Sequence, residues 1–388
     1  MELDQKHYLE RQDPLINIAA DSQIPDIEHK LSEVFTADYA LSFFESDQIT
    51  PKDLKNIDAL LVRSTVNVDE DLCKFSNIQY VGSATAGINH LDTNYLDNQN
   101  ITWSHASGCN ANSVTHFVMA VIGELIQEGL FNVRQTVGIV GYGNIGKRLY
   151  QLLAALNIKV FACDPFLSDS ELVEMDQILK CDLITIHAPY STSGLHPTKN
   201  LINQSHISDL KNKILINTSR GGIVLEDLAI QIKELIYIAD VWMNEPIPSH
   251  PMIQEAFLST PHIAGYSIEG RSNGSSIIAN SCAKFFGCQD KKQGIANSLL
   301  PWPHSLEAIV RDIHGHGFPV SLFNAELDLI AISKTLKALQ IEDLSDGFNS
   351  LRAKHPARHD FNAYSFENLS NLDEEINLDF FDRIKSFN

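Results

Sequence analysis

Short runs of apolar residues recur along the first hundred residues, with longer mixed segments between them. These runs occupy residues 15–20, 58–63 and 78–82. A run that is apolar on both faces is typical of a parallel strand covered by helices on both sides. We therefore predict an open α/β sheet in this part of the chain, with a helix entered at Ile24-Pro25.

The apolar spacing changes to that of a helix after residue 113. The positions that form one apolar stripe are Val114, Phe117, Val118, Val121, Ile122 and Leu125. We expect this helix to lead into a second domain. Strand-like runs follow at residues 137–140, 159–163, 183–187, 214–217 and 236–240, and helical segments separate them. This alternation is typical of a Rossmann fold.

The pattern after residue 261 predicts how the chain divides into domains. No further Rossmann strand follows the helix-like stretch at residues 276–286, so we expect this helix to pack on the first domain. The predicted fold is α/β, with two Rossmann-like doubly wound domains and a small α+β C-terminal domain. The predicted bounds are 1–112 with 267–297, then 113–266, then 298–388.

The third unit begins with a linker-like sequence and ends in an acidic segment. The linker is Leu300-Pro301-Trp302-Pro303. One interpretation is that this unit associates with another chain. The simpler interpretation of its acidic end is a surface exposed to solvent. The acidic residues are Asp373, Glu374, Glu375, Asp379 and Asp382.

Composition narrows the classes of partner and compartment. A formal net charge of −20 opposes phosphate-rich polymers, so we expect a small-molecule partner or a second copy, and no nucleic acid. The polar first 13 residues do not fit a signal peptide, and no run reaches the length of a membrane span, so we expect a cytoplasmic protein. The cysteines lack metal-ligand spacing and are expected to be reduced, with no metal bound. They are Cys73, Cys109, Cys163, Cys181, Cys282 and Cys288.

A glycine motif directly follows the strand predicted at residues 137–140. It comprises Gly141, Tyr142, Gly143, Asn144, Ile145 and Gly146. In a G-x-G-x-x-G motif the first glycine permits a tight turn, the second lets a pyrophosphate approach the backbone, and the third lets helix and strand pack closely. The helix N-terminus supplies free N–H donors to the phosphate charge. A glycine trio alone is weak evidence.

An acidic residue strengthens the dinucleotide hypothesis. Asp164 ends the next predicted strand, 18 residues after Gly146, where a carboxylate can accept hydrogen bonds from ribose hydroxyls. A 2′-phosphate there would meet like charge, so NAD is favoured over NADP. The simpler interpretation of Asp164-Pro165 is a turn.

Three further segments carry the groups that oxidation of a 2-hydroxy acid requires. Arg220 follows a strand and offers a guanidinium that can hold a carboxylate. His262 is the best candidate for the base that takes the hydroxyl proton. Glu245 can hydrogen-bond the imidazole and favour its protonated form. Each of the 15 histidines taken alone is more often structural than catalytic, so position does not decide among them.

Resemblance to a known protein family selects among the histidines. The segments Asn217 to Gly222, Asp240 to Pro246 and Pro261 to Tyr266, in that order after the glycine motif, resemble the D-2-hydroxyacid dehydrogenase superfamily. Within it the chain is similar to the erythronate-4-phosphate dehydrogenase family. The narrower match rests on residues 62–64, 82–87, 108–111, 262–267 with 269–270, and 347–352.

The resemblance implies a set of site residues and an assembly. It assigns Arg220, Glu245 and His262 to catalysis, and Ser64, Thr85 and Tyr266 to substrate. It also implies a homodimer built by the C-terminal domain, and a role in vitamin B6 biosynthesis. Beyond the glycine motif, the residues assigned to NAD are Asp164, Ala188, Thr218, Ser219, Arg220, Asp240 and Gly265.

The chain departs from the family pattern at several positions, which puts the fine geometry of the substrate pocket in doubt. They are Ser22, Gln23, Asn89, His116 and the pair Leu225-Glu226. The residues that bind the substrate phosphate stay open. Arg352, Lys354 and Arg358 are candidates, although three cations in seven residues more often form a solvated face.

Three alternatives remain open at this point. The chain can have the same chemistry with another substrate, as in a 3-phosphoglycerate or D-lactate type dehydrogenase. It can instead be an NAD-sensing interaction protein on the same fold, although such a protein does not need an acid–base pair beside a carboxylate clamp. A structural protein with inherited glycines is the third interpretation.

Overall fold

A computed structural model describes residues 15–288, 299–355, 357–366 and 378–387. The chain divides into two compact units, the first of residues 1–109 with 271–296 and the second of residues 110–270 with 297–388. The polar leader before residue 15, the acidic residues Asp373, Glu374 and Glu375, and the predicted boundary between residues 297 and 298 lie outside the described residues.

The first unit is built on a parallel sheet of five strands in the order β2-β1-β3-β4-β5. The strands are β1 (Ile16–Asp21), β2 (Tyr39–Phe44), β3 (Ala59–Val62), β4 (Tyr80–Ser83) and β5 (Thr102–His105). The helices between them are α1 (Ile27–Val34), α2 (Glu70–Cys73) and α3 (Thr93–Asn98). Strands β3 and β4 are buried along their whole length. The sequence pattern missed β2 and β5, the two edge strands, which are only partly buried; β5 carries no apolar run, whereas the largely apolar β2 was overlooked.

The second unit contains a parallel sheet of six strands in the order β11-β10-β9-β8-β6-β7. Its elements up to residue 259 are α4 (Ala111–Gln127), β6 (Val137–Val140), α5 (Asn144–Ala155), β7 (Val160–Cys163), α6 (Met175–Ile178), β8 (Leu183–Ile186), α7 (Ile207–Leu210), β9 (Ile214–Asn217), α8 (Leu228–Gln231), β10 (Ile236–Ala239), α9 (His250–Glu255) and β11 (Leu258–Ser259). Because β7 and β8 flank β6 on opposite sides, the strand order reverses at β6. Ligands of open α/β sheets bind at such a switch point, outside the carboxyl ends of the strands.

Helix α10 (Ile268–Phe285) begins in the second unit and continues into the first, where it supplies Ile278 and Cys282 to the core beside β1 and β3. The predicted return of the chain at residues 276–286 falls within this helix. The helix begins earlier than predicted, at Ile268. The seven residues after Ile268 are polar or glycine, so an apolar pattern does not reveal them.

The C-terminal residues belong to the second unit and share its core. They form β12 (Leu300–Pro301), α11 (Leu306–His316), α12 (Val320–Asn324), α13 (Leu329–Lys337), α14 (Leu344–Ala353), β13 (Tyr364–Ser365) and α15 (Leu378–Lys385), with short 3-10 helices at Gln204–His206, Ile341–Asp343 and Phe361–Ala363 along the chain. The predicted linker is wrong, because β12 pairs with β13 and Trp302 packs on Tyr364 with ring centroids 5.0 Å apart.

Helix α4 is buried on every side, which the apolar stripe alone did not predict. Its polar residues His116 and Glu124 are buried along with the stripe. The Nε2 of His116 donates to the Phe323 carbonyl at 2.9 Å, and Glu124 accepts from the Asn324 side chain at 2.6 Å. The C-terminal segment therefore covers the face of α4 that the pattern alone would leave in solvent.

The described residues form no disulfide, and no group of three histidine, cysteine or acidic side chains among them is placed to hold a metal ion. None of the helices in the described ranges has the length and apolar character needed to span a membrane.

Candidate active site

The glycine turn lies at the end of β6 and opens α5. Gly141 has a φ of 94°, and a Cβ there would lie 2.8 Å from the His187 carbonyl group. A Cβ on Gly146 would lie 2.0 Å from the Gly141 oxygen, whereas one on Gly143 would meet nothing within 4 Å. The turn is thus tight at both ends and open at Gly143, which fits a site where a pyrophosphate approaches the backbone.

Asp164 follows β7 and is tied to this turn. One carboxylate oxygen accepts the Tyr142 N–H at 3.0 Å, and the other accepts the Phe166 N–H at 3.1 Å. These bonds hold the carboxylate at the edge of the glycine turn, and each oxygen retains a lone pair for a further donor. The turn and Asp164 together fit the pyrophosphate and ribose diol of NAD.

The segments that follow β8 and β9 lie at the same carboxyl edge of the sheet as the glycine turn, because β8 is the neighbour of β6 and β9 the neighbour of β8. The Ser219 hydroxyl donates to the Ala188 carbonyl, and Thr218 Oγ1 lies 3.5 Å from His187 Nδ1. Asn217, which we did not predict as a site residue, accepts the Ser219 N–H at 3.1 Å and donates to the Arg220 carbonyl at 3.0 Å. Asn217 therefore shapes the turn that presents Arg220.

Arg220 and Glu245 are brought together by close backbone packing. A Cβ on Gly221 would lie 2.1 Å from the Trp242 carbonyl, so only glycine lets the two turns approach this closely. The Arg220 guanidinium donates to the Ser219 carbonyl at 2.7 Å. Burial lowers the pKa of Arg220, and the Glu245 charge acts in the opposite direction.

His262 and Glu245 form a close, partly exposed pair. His262 Nδ1 lies 2.7 Å from Glu245 Oε2, with side-chain exposures of 31% and 19%. The other Glu245 oxygen accepts the Trp242 N–H at 2.9 Å. Burial alone would raise the pKa of Glu245, but the hydrogen bond and charge of His262, the Trp242 amide and the Arg352 charge together hold it below its ordinary value. Because Nδ1 is engaged, Nε2 is the ring nitrogen left to exchange a proton.

Asp240 holds the turn that carries His262. It is buried, and one oxygen accepts from the Thr260 hydroxyl and the Ile263 N–H, both at 2.7 Å. The other oxygen accepts the Ala264 N–H at 2.9 Å. His262 itself has a φ of 57°, a left-handed backbone that such bonds help to maintain. The contacts of Asp240 are thus to one hydroxyl and two backbone amides of this turn, while its predicted contact with NAD stays a prediction.

Glu226 is a further residue that we did not predict in the site. Its carboxylate accepts the N–H of Met243, in the turn that leads to Glu245. Burial raises the pKa of Glu226. The sequence carried one signal, since Leu225-Glu226 replaces the pair usual in the family.

The predicted substrate hydroxyls Ser64 and Thr85 lie in the first unit. They follow β3 and β4, which are neighbouring parallel strands, so both lie at one edge of the sheet. Ser64 is exposed, and Thr85 Oγ1 donates to the Gly87 carbonyl at 3.3 Å. The Thr85 hydroxyl is also 3.0 Å from the hydroxyl of Ser83, which lies 2.9 Å from His90 Nε2.

Gly265 and Tyr266 continue the turn from His262. A Cβ on Gly265 would lie 2.2 Å from the Asn110 side-chain nitrogen, so the backbone packs closely there. The Tyr266 hydroxyl accepts from Arg352 Nη2 at 3.2 Å. Thus Arg220, Glu245, His262 and Tyr266 lie on connected turns of the second unit.

The suggestion that Arg358 binds phosphate is wrong. This side chain is 1% exposed and donates to Asp360 and His116, each at 3.2 Å, and to the carbonyls of Ser113 and Ala264, each at 3.1 Å. A guanidinium enclosed in this way is not accessible to substrate. Lys354 is exposed.

Comparisons with known proteins agree with this geometry. Residues 127–264 match the family described as "D-isomer specific 2-hydroxyacid dehydrogenase, NAD binding domain". An erythronate-4-phosphate dehydrogenase from Pseudoalteromonas translucida is 32% identical over 365 residues, which are 91% of this chain and 95% of that protein. One from Wigglesworthia glossinidia brevipalpis is 38% identical over 272 residues, 68% of this chain and 72% of that protein. The chain belongs to the erythronate-4-phosphate dehydrogenase family.

Solved structures show the same fold. An NAD+-bound 3-phosphoglycerate dehydrogenase from Entamoeba histolytica has a TM-score of 0.59 at 22% identity, covering 72% of this chain and 99% of that one. A D-lactate dehydrogenase from Aquifex aeolicus has a TM-score of 0.56 at 20% identity, covering 72% of this chain and 100% of that one. The predicted fold class, the NAD cofactor and the activity of an NAD-dependent 2-hydroxyacid dehydrogenase are thus confirmed.

Proposed function

We propose that this chain oxidises 4-phospho-D-erythronate at C2 to (R)-3-hydroxy-2-oxo-4-phosphobutanoate, a step in pyridoxal 5′-phosphate biosynthesis. The observation that carries the proposal is the pairing of His262 with Glu245 at 2.7 Å, beside Arg220 and at the carboxyl end of the sheet that holds the glycine turn. The name shared by relatives along most of the chain supports this substrate.

The three charged residues have distinct tasks in this reaction. Arg220 holds the substrate carboxylate through its guanidinium fork. His262 accepts the C2 hydroxyl proton at Nε2, and Glu245 stabilises the imidazolium that results. NAD, when bound, supplies the acceptor for the hydride that leaves C2. A proton and a hydride thus leave the alcohol together, and the reverse reaction uses His262 as the acid.

The remaining residues orient the two ligands. Ser64, Thr85 and Tyr266 supply hydroxyls to the substrate. The residues that hold NAD are Gly141, Tyr142, Gly143, Asn144, Ile145, Gly146, Asp164, Ala188, Thr218, Ser219, Arg220, Asp240 and Gly265. Asp164 selects NAD over NADP because a 2′-phosphate would meet its charge.

A substrate panel tests the proposal. The purified chain is mixed with NAD and, in separate reactions, 4-phospho-D-erythronate, 3-phospho-D-glycerate or D-lactate, and NADH formation is followed by its absorbance. We expect the highest kcat/KM for 4-phospho-D-erythronate. NADH formation from another acid alone would contradict the assigned substrate. NAD binding without turnover of any 2-hydroxy acid would favour the NAD-sensing alternative.

We further propose that the chain is a cytoplasmic homodimer associated through its C-terminal residues, as its resemblance to the family implies. Light scattering after size-exclusion chromatography of the full chain measures the mass in solution. A mass near twice 43.3 kDa supports the dimer, and a monomer mass contradicts it.

A further inference from the structure

Among the three cations considered for the substrate phosphate, Arg352 is placed differently from Lys354 and Arg358. It lies in the last turn of α14, which is anchored by the buried side chains Leu344 and Phe348. Those two residues belong to the core that covers one face of the six-stranded sheet. The position of Arg352 is therefore set by a helix that packs on the core of the second unit.

The direct partner of Arg352 among the described residues, Tyr266, is uncharged. Nη2 donates to the Tyr266 hydroxyl at 3.2 Å, and the guanidinium carbon is 5.9 Å from the Tyr266 ring centroid. Within the described ranges, its Nε is buried without a hydrogen-bond partner, and no carboxylate lies within ion-pair distance of the side chain. Arg358 also has an unpartnered Nε, but Asp360 neutralises its charge.

A half-buried guanidinium without a carboxylate partner is costly unless it binds an anion. Tyr266 continues the turn from His262, four residues along, so Arg352 lies beside the predicted substrate hydroxyl and near the acid–base pair. The charge of Arg352 also reaches Glu245, where it helps to lower the carboxyl pKa. Planar N–H donors suit a phosphate, which accepts two parallel hydrogen bonds.

We propose that Arg352 binds the terminal phosphate of the substrate and thereby selects a phosphorylated 2-hydroxy acid. This inference rests on the proposed function and deepens it. Tyr266 belongs to the turn of His262 and its hydroxyl contacts Arg352, so one turn links the acid–base pair to the phosphate site. Binding of the phosphate contributes chiefly to substrate affinity, because the phosphate is remote from the C–H bond that breaks.

The test compares Arg352→Gln and Arg352→Lys with the wild-type chain, using Lys354→Gln as the matched control. Lys354 is an exposed cation two residues away. We expect Arg352→Gln to raise the KM for 4-phospho-D-erythronate about 30-fold, with kcat and the KM for NAD within threefold of wild type. Arg352→Lys should recover part of the loss because the charge remains. Lys354→Gln should behave as wild type.

Inorganic phosphate provides a second readout that does not need turnover. Its affinity for each variant is measured by isothermal titration calorimetry in the presence of NAD. Arg352→Gln should weaken phosphate binding by a factor similar to the rise in KM. An unchanged KM and phosphate affinity, or a fall in kcat together with a rise in the KM for NAD, overturns the inference. Failure of the wild-type chain to oxidise 4-phospho-D-erythronate overturns the proposed function instead, and the phosphate titration then decides the role of Arg352.

Discussion

Two side-chain pairs contact the turn at residues 262–266 of this dehydrogenase, and they differ most in exposure. In the first pair, His262 and Glu245 are 2.7 Å apart, with side-chain exposures of 31% and 19%. In the second, Arg358 and Asp360 are 3.2 Å apart, and both are 1% exposed. Arg358 reaches the turn through the Ala264 carbonyl.

The difference shows that environment separates a reactive pair from a structural one. The partly exposed pair leaves one imidazole nitrogen for a proton, whereas the buried pair has no solvent access and binds backbone and buried side chains on several elements. Breaking a buried pair leaves an uncompensated charge and costs stability. Breaking the exposed pair should cost activity. The following experiments test this division, from the largest effect to the smallest.

Replacing His262 with alanine should lower kcat about 1000-fold, because the base that accepts the hydroxyl proton is removed. The dissociation constant for NAD, measured by fluorescence titration, should stay within threefold of wild type. His29→Ala, which removes an exposed histidine of the first unit, is the control and should leave both values unchanged. Undiminished turnover in His262→Ala would show that another group is the base.

Replacing Arg358 with methionine should destabilise the fold by about 3 kcal/mol, because Asp360 is left buried without its partner. Urea denaturation followed by circular dichroism measures the loss. Replacing Arg358 and Asp360 together by methionine and asparagine should recover part of the stability, since no buried charge then remains unpaired. If Arg358→Met is as stable as wild type, the buried pair does not anchor the turn.

Replacing Glu245 with glutamine should lower kcat about 30-fold while the side chain keeps its size. The charge that stabilises the imidazolium is lost, and one of two carboxylate acceptors becomes an amide. Steady-state kinetics measure the change, and the urea midpoint should move less than for Arg358→Met. A larger loss of stability than of activity would contradict the division between the pairs.

The smallest effect concerns His116, which accepts a hydrogen bond from Arg358. Burial, and then the Arg358 charge, lower the pKa of His116 from 6.5 to about 3. As the pH falls below about 6.5, His116 binds a proton in the unfolded chain but stays neutral in the folded chain. His116 thus contributes a fall in the unfolding free energy of about 1.4 kcal/mol per pH unit, until the pH nears the folded pKa.

His116→Gln removes this proton uptake and can keep both hydrogen bonds, to Phe323 and from Arg358. Urea denaturation at several pH values between 5 and 6.5 should therefore show a shallower decline than in wild type, by about 1 kcal/mol per pH unit on average, since the unfolded histidine is only half protonated at pH 6.5. His29→Gln, at an exposed position, is the control. An equal slope in His116→Gln and wild type would show that His116 is already charged in the fold.

Sequence reasoning found the core strands of both sheets because those strands are short, continuously apolar and bounded by turn residues. Strands β6 and β9 agree with prediction at both ends. It missed the two edge strands: β5 carries no such run, and the apolar residues of β2 were not recognised as a strand. It also treated Leu300–Pro301 as linker, because two strands of two residues pair across more than sixty positions without a local signal.

The site shows the same division between local and distant information. The glycine turn could be predicted from residues 141–146 because it is a local sequence motif: Gly141 has a positive φ, and a Cβ on Gly146 would clash with the Gly141 oxygen. The assignment of Arg220, Glu245 and His262 came from resemblance, since nothing local selects one histidine among 15. The roles of Asn217 and Glu226 in holding their turns became visible only in their hydrogen bonds.

By itself the sequence determined the two sheets, the strand–turn–helix at Gly141 and the acidic residue after β7, because apolar period and turn chemistry act over a few residues. Only the tertiary structure decided that α4 is covered on its polar face, that Arg358 is buried, and that Arg352 meets Tyr266. Those contacts join segments 86 or more positions apart. They depend on how whole elements pack, and no periodicity along the chain records that packing.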